Sequence, residues 1–359
     1  MLRTIINSTD VAKVRTLLND SRNIVITTHV SPDGDAIGSS LALYEYLKRK
    51  GKLVNVIVPN YFPDFLHWMH DADKIIQYDR HRAQSKSLIQ GADLIVALDY
   101  NSLSRVEDLQ LPLRYSKCPR LMIDHHESPD KFCTIQISRP EMSSTCELLY
   151  RLFVALDETR NINLHCAEDL YAGMCTDTGR FTYGSNDPEI FVIISELMRK
   201  GIDKDSIIRN IYNQNSEGRY RLMGHILSEK LELFPEIHSA LFALDRNELK
   251  RFKYKKGDAE GFVNIPLEIK GIDVSVSLRE DTERDQIFVS LRSVGDITVN
   301  GIASRHFNGG GHQNAAGGRL FCPMAEALEF TRRVLKEELG ELFSPPAATT
   351  PREEGEPSN

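Results

Sequence analysis

Residues 24–51 read IVITTHVSPDGDAIGSSLALYEYLKRKG: an apolar run, a turn that carries His29, Asp33 and Asp35, and then a helical pattern. The run is short and rich in Ile and Val, as a strand buried on both faces should be. After the turn, Ile37, Leu41, Tyr44 and Leu47 fall on one face of a helix that ends in basic residues and Gly51. From about Arg22 to Leu197 the same alternation continues, with LVNVIVP, ADLIVALD and RLMIDHH as further strands. Strands alternating with helices predict an α/β fold: an N-terminal doubly wound, mostly parallel sheet, with a smaller α/β second domain across a cleft.

The expected division is a first domain over residues 1–197, a helical connector over 198–234, a second domain over 235–342 and a disordered tail over 343–359. In the second domain HSALFALD, GIDVSVSLRE and DQIFVSLRS read as strands and VNGIASRHF as a short helix. The glycine run NGGGHQNAAGG reads as a loop before a last short strand and a closing helix. The coda SPPAATTPREEGEPSN is too rich in proline and glutamate to bury a core.

A formal net charge of −7 argues against a basic clamp on long nucleic acid, which needs many lysines and arginines to displace counterions. Short anionic ligands need only local cations. Six cysteines without a C-x-x-C pair, no apolar block for a signal and no membrane span predict a reduced, cytoplasmic setting.

In doubly wound sheets, ligands bind beyond the carboxyl ends of the strands. Those ends are unusually acidic here. The first carries His29, Asp33 and Asp35; ADLIVALD ends in Asp99; RLMIDHH ends in Asp124, His125 and His126; and a small-residue helix, AEDLYAGMC, empties into Asp177. Any one of these alone reads best as a turn or a surface pair, since D-G-D after a strand is commonly an Asx turn. Together they form a set of hard oxygen donors with a minority of imidazoles, suited to manganese, magnesium or ferrous iron rather than structural zinc. Crowded carboxylates repel unless cations neutralise them, so the cluster predicts divalent metal, and two ions rather than one.

These residues carry a resemblance. HVSPDGDAIGS, LDYNSLSR, IDHHESP and TDTGRF resemble the ordered motifs of the DHH phosphoesterase family, and FNGGGHQNAAGG resembles the signature of its DHH-associated C-terminal domain. The match spans nearly the whole chain except the tail. The resemblance implies that His29 and Asp33 hold one metal and that Asp35, His125 and Asp177 hold the other, with Asp99 bridging. It implies two Mn²⁺ ions, with Mg²⁺ or another divalent cation as substitutes. Asp124 would orient a histidine by hydrogen bonding, and His126 would touch the scissile phosphate. Arg105 is a candidate phosphate contact.

In the second domain Arg292 and Ser293 close a strand, and arginine grips phosphate bidentately. Successive glycine N–H groups can cradle an anion. The resemblance implies that Arg292, Ser293, Gly309, Gly310, Gly311 and His312 bind the far end of the substrate. Arg279, at the end of the neighbouring strand, is a weaker candidate, and Phe307 reads at least as well as core as it does as a platform for base stacking. Two domains gripping one substrate would select it by length, from dinucleotides to about five-mers.

The size and two-domain plan resemble the nanoRNase branch of the family, whose activities are hydrolysis of short oligoribonucleotides and dephosphorylation of 3'-phosphoadenosine 5'-phosphate. A homodimer is implied by the resemblance alone. Two rival readings share the motifs: a phosphodiesterase for linear or cyclic signalling dinucleotides, and a regulatory nucleotide-binding protein with incidental hydrolysis.

Overall fold

The computed structural model describes residues 2–255, 257–340 and 342–343, and the tail expected from residue 343 onward lies outside them apart from Phe343. The chain divides into two compact units, 1–214 and 215–359. Among the described residues no helix is long and apolar enough to cross a membrane.

The first unit is built on six parallel strands: β1 (Asn23–Thr27), β2 (Leu53–Val58), β3 (Ile76–Gln77), β4 (Leu94–Leu98), β5 (Arg120–Asp124) and β6 (Ile135–Ser138). Their order is β3-β2-β1-β4-β5-β6. The chain winds outward from β1 in one direction and then, from β4, in the other, so the switch point lies between β1 and β4. Eight helices accompany the sheet: α1 (Ser8–Asp20), α2 (Gly34–Arg49), α3 (Arg82–Gln90), α4 (Gln110–Tyr115), α5 (Thr145–Ala155), α6 (Leu164–Asp177), α7 (Pro188–Arg199) and α8 (Lys204–Tyr212).

Alternation along the strands splits the interior in two. Ile24, Ile26, Val96 and Leu98 point to a core shared with Ile37 and Leu41 of α2 and Leu170 and Met174 of α6. Val25, Ile95, Ala97 and Met122 point the other way, against Ile89 of α3 and Leu113 of α4. Both faces of the sheet are therefore covered, which explains why its strands read as nearly unbroken apolar runs.

The second unit holds a mixed sheet of β7 (Glu232–Phe234), β8 (Ser239–Leu244), β9 (Val274–Glu280), β10 (Ile287–Ser293), β11 (Gly310–His312) and β12 (Ala315–Leu320), ordered β11-β12-β10-β9-β8-β7. Only β8 and β9 pair in parallel. Its helices are α9 (Glu217–His225), α10 (Arg246–Arg251), α11 (Asn300–His306) and α12 (Met324–Gly340). Ile302 of α11 and Val334 and Leu335 of α12 share a core with Val276, Val289 and Leu291.

The glycine run departs from the loop expected for it. It forms a hairpin of β11 and β12, and a Cβ added to Gly309 would overlap the Gly317 carbonyl oxygen on the facing strand. Glycine has no side chain with which to show the period of a strand, so the pattern was silent there. Phe307, open between core and stacking in the sequence, is fully buried in the second core.

Candidate active site

The turn after β1 contributes in two opposite ways. Asp33 is the N-cap of α2: its Oδ1 accepts from the backbone N–H of Asp35 (3.1 Å) and of Ala36 (3.0 Å). Its other oxygen, Oδ2, lies 3.8 Å from His29 Nε2, on a side chain that remains 57% exposed. Asp35 is instead fully buried. Its Oδ2 accepts from Thr145 N at 2.6 Å and its Oδ1 from Cys146 N at 2.9 Å, so this carboxylate sits on the first turn of α5. Unpaired N–H groups and the helix dipole favour a negative charge there. Ser144 caps the same helix and Glu147 reaches back to Ser143, which fixes the turn that holds Asp35.

Asp99 follows β4 with its backbone in the left-handed region, φ 62°. Aspartate tolerates that region better than most residues, and such conformations collect at functional sites. The turn is held by Asp99 N donating to Ile123 O on β5 (3.1 Å). Its buried carboxylate then faces His29 and His125 at once, with His126 Nδ1 a further 3.8 Å neighbour of Oδ1. Oδ2 lies 3.3 Å from His29 Nε2 and Oδ1 lies 3.6 Å from His125 Nε2. Oδ1 also accepts from the Thr145 hydroxyl at 2.9 Å.

His125 completes a second group. Its Nε2 is 3.2 Å from Asp177 Oδ2 and 4.0 Å from Asp35 Oδ2. Asp177 is the last residue of α6, which crosses α2 closely; a Cβ on Gly173 would lie 2.9 Å from Asp35 Oδ1. Only glycine permits that approach. His29, Asp33 and Asp99 thus form one set with donor atoms within 4.8 Å of one another, and Asp35, His125 and Asp177 form another.

Both histidines are oriented for cations. Nδ1 of His29 donates to Val30 O (2.8 Å) and Nδ1 of His125 to Met142 O (3.1 Å), which turns each Nε2 toward the acids. This is the arrangement that metal-binding imidazoles adopt. The electrostatics agree. Burial opposes charge on His29, but hydrogen bonds and charges from Asp33 and Asp99 outweigh it and raise its pKa well above the ordinary value. His125 is raised in the same way, by Asp177, Asp99 and Asp35 against burial. Burial pushes Asp177 up to about 6. Burial, then repulsion from Asp99 and Asp177, pushes Asp35 up as well. Carboxylates and imidazoles that hold protons this firmly are short of cations. A donor set of four carboxylates and two imidazoles fits divalent metal.

A further acid–histidine group, Glu45, His70 and Asp71, differs in one respect. Asp71 already has Lys48 and Lys74 at 2.8 and 2.7 Å as its counter-charges.

The resemblance left open which histidine Asp124 orients. Asp124 Oδ1 accepts from His126 Nδ1 at 2.8 Å and Oδ2 accepts from His126 N at 3.1 Å, so it grips His126. Arg105 is half-buried, and its backbone carbonyl accepts from Val30 N at 2.7 Å, fastening the loop after β4 beside His29. In the second unit Gly310 and His312 pair across from Gly317 and Ala315, and Arg292 also pairs with Ala315, so these residues share one side of the sheet. Ser293 does not join them. It is buried on the other side, with its hydroxyl donating to Ile297 O at 2.6 Å and accepting from Asn314 Nδ2 at 2.9 Å.

Thr145 was missed by sequence reasoning. The signal was present in SSTCE, a helix-start pattern, but nothing local connects it to an acid 110 positions away.

Comparison with known proteins adds the following. Residues 23–174 match the DHH family, N-terminal domain, and residues 237–341 match the DHHA1 domain. The sequence is 30% identical over 321 residues to the bifunctional oligoribonuclease and PAP phosphatase NrnA of Thermus thermophilus, covering 88% of this chain and 90% of that one. It is 27% identical to the protein of the same name from Bacillus subtilis, covering 83% and 89%. The crystal structure of an exopolyphosphatase-related protein from Bacteroides fragilis superimposes with a TM-score of 0.93 at 48% identity, covering 96% of this chain and all of that one.

Proposed function

Since the chain belongs to the DHH family and is a phosphoesterase of that family, we propose that it uses two divalent ions to hydrolyse short oligoribonucleotides to mononucleotides and to remove a phosphate from 3'-phosphoadenosine 5'-phosphate. The supporting observation is the position of Asp99, whose two oxygens face two separate acid–histidine sets. In this reading His29, Asp33 and Asp99 hold one ion, Asp35, His125 and Asp177 hold the other, and Asp99 is shared. Mn²⁺ is the favoured ion. Bound there, divalent cations supply Lewis-acid polarisation of a phosphoryl oxygen and a water nucleophile at neutral pH.

The remaining chemistry belongs to the chain's own side chains. His126, tethered through Nδ1 to Asp124, addresses the phosphate through its other ring nitrogen and assists departure of the leaving oxygen. Thr145 holds Asp99 in the rotamer that faces both histidines. Arg292, with the backbone of the Gly309–His312 segment, supplies further substrate contacts from the second unit, and Arg105 is a phosphate contact in the first. The relatives named as oligoribonucleases and PAP phosphatases favour these substrates. A second reading, a phosphodiesterase for signalling dinucleotides, is favoured by 24% identity over 90% of this chain to the cyclic-di-AMP phosphodiesterase GdpP of Bacillus subtilis, of which the match covers 49%.

A substrate panel in Mn²⁺ tests the proposal: dinucleotides, five-mers, 3'-phosphoadenosine 5'-phosphate, pyrophosphate and cyclic dinucleotides, ranked by kcat/KM. The proposal expects the first three to lead. Preference for cyclic dinucleotides would replace it with the second reading, and tight dinucleotide binding without product would make the chain a binding protein.

A further inference from the structure

The sheet of the second unit has one side that its helices α11 and α12 do not cover. Along β10 the residues alternate: Ile287, Val289 and Leu291 enter the core, while Phe288, Ser290 and Arg292 face the opposite side and are partly exposed. At the β8 end this opposite side is closed, since Phe242 and Leu244 pack with Leu222 and Ile226. Along β10 and β12, Phe288, Ser290 and Arg292 on this side are partly exposed and Arg319 is exposed.

Register places Arg279 of β9 and Arg319 of β12 directly across from Phe288, one on each flank. Their guanidinium carbons lie 4.8 and 5.9 Å from the centre of the Phe288 ring, and Arg279 is also 5.4 Å from the Tyr254 ring. Among the described residues neither arginine has a carboxylate within ion-pair distance. Two like charges share one ring with no ion pair to either; Asp281 feels the Arg279 charge from beyond that distance. An anion brought by a ligand would pair with both guanidinium groups directly.

We propose that Phe288, Arg279 and Arg319 form a subsite for one more nucleotide of a single-stranded substrate, beyond the nucleotide held at Arg292. The inference rests on the oligonucleotide reading above. Phe288 is four residues along the same strand and side as Arg292, about 13 Å away at the rise of a β-strand. That separation suits two different nucleotides of one strand. Arg319, the more distant and more exposed of the two, turns to the phosphate and leaves its side of the ring to a base, which stacks without regard to sequence, while Arg279 stays on the other side. A dinucleotide gripped at Arg292 leaves this subsite unused, whereas a five-mer fills it.

The test compares wild type with Phe288→Ala and with the surface double variant Arg279→Gln/Arg319→Gln, on a dinucleotide and a five-mer in Mn²⁺. Loss of one stacking platform should raise the five-mer KM about tenfold, with dinucleotide turnover falling much less and Phe288→Tyr restoring the five-mer. The double variant should raise the five-mer KM and flatten its dependence on salt. Equal losses on both lengths, or no change on the five-mer in either variant, would overturn the subsite. Binding of a fluorescent phosphorothioate five-mer, read by anisotropy, separates the two claims. If wild type cleaves no oligonucleotide yet binds the five-mer through Phe288, the functional reading fails and the subsite stands; if wild type cleaves but binding ignores Phe288, the reverse holds.

Discussion

Thr145 N donates to Asp35 Oδ2 at 2.6 Å while Thr145 Oγ1 donates to Asp99 Oδ1 at 2.9 Å, so one threonine holds two acids from two different strand ends. The backbone bond survives any substitution except proline; the hydroxyl bond needs Thr or Ser. Thr145→Val should therefore lower kcat tenfold or more, since a hydrogen bond to a charged group contributes about 1.5–3 kcal/mol. Thr145→Ser should retain most activity. Steady-state kinetics with a dinucleotide distinguish the pair, and equal activities would remove the hydroxyl from the argument.

Asp99→Asn should abolish hydrolysis of every substrate, because it weakens both metal sets at once. Asparagine tolerates the left-handed backbone at this position, so the fold should persist. Calorimetric titration with Mn²⁺ should show the loss of binding directly. Retained turnover with one ion would end the shared-ligand scheme.

Asp124→Asn tests a narrower role. The carboxylate touches His126 and not the other histidine, so its loss should lower kcat by about 10–100-fold through a misoriented ring. Mn²⁺ affinity should change little. A large drop in affinity would mean that Asp124 serves a metal site instead.

Stability should depend on pH with a defined sign. Asp177 rises from 3.8 to about 6, mainly by burial, and Asp35 rises with it. His29 and His125 are raised well above 6.5, where acid neighbours outweigh burial. A raised folded pKa stabilises fully below the unfolded value and loses that contribution as pH climbs through the folded value. The metal-free chain should thus lose stability as pH rises from near 4 through 6, and further above 6.5 as the imidazoles lose their protons. Asp99 is held well below 3.8, because His29 and the other two histidines outweigh burial, so its opposite contribution is confined to strong acid. Mn²⁺ replaces protons and should raise Tm most at alkaline pH, releasing protons as it binds. A Tm series in EDTA and in Mn²⁺ checks this; a metal-free Tm that rises between about pH 6 and 8 would contradict it.

Arg292→Ala should weaken dinucleotide turnover much more than turnover of a small generic phosphodiester. Equal losses would assign Arg292 to support of the fold.

What the sequence disclosed followed from regular periods. The apolar runs identified β1, β2, β4 and β5, and the rule that ligands gather at their carboxyl ends brought His29, Asp99 and His125 into one reading before any coordinates. Periods fail where side chains are absent or where partners are remote. The hairpin after Asn308 is mostly glycine and alanine, so it showed no strand pattern. Thr145 and Gly173 matter through contacts with Asp35 across more than a hundred residues, which no local window reports. Neighbours on a strand face opposite sides, which is why Ser293 lies on the other side of the sheet from Arg292.

Asp33 and Asp35, two residues apart, are treated unequally: one keeps an exposed side chain and the other is fully buried. Asp35 is tied to the first turn of α5 through both of its oxygens, so folding alone fixes its position. Asp33 spends one oxygen on the end of a helix and keeps the other on an exposed side chain, near His29. Asn serves as well as Asp at a helix N-cap, so Asp33→Asn should keep the start of α2 and the metal-free Tm while it weakens Mn²⁺ binding, a separation of scaffold from ligand that Asp35, buried on both oxygens, does not offer.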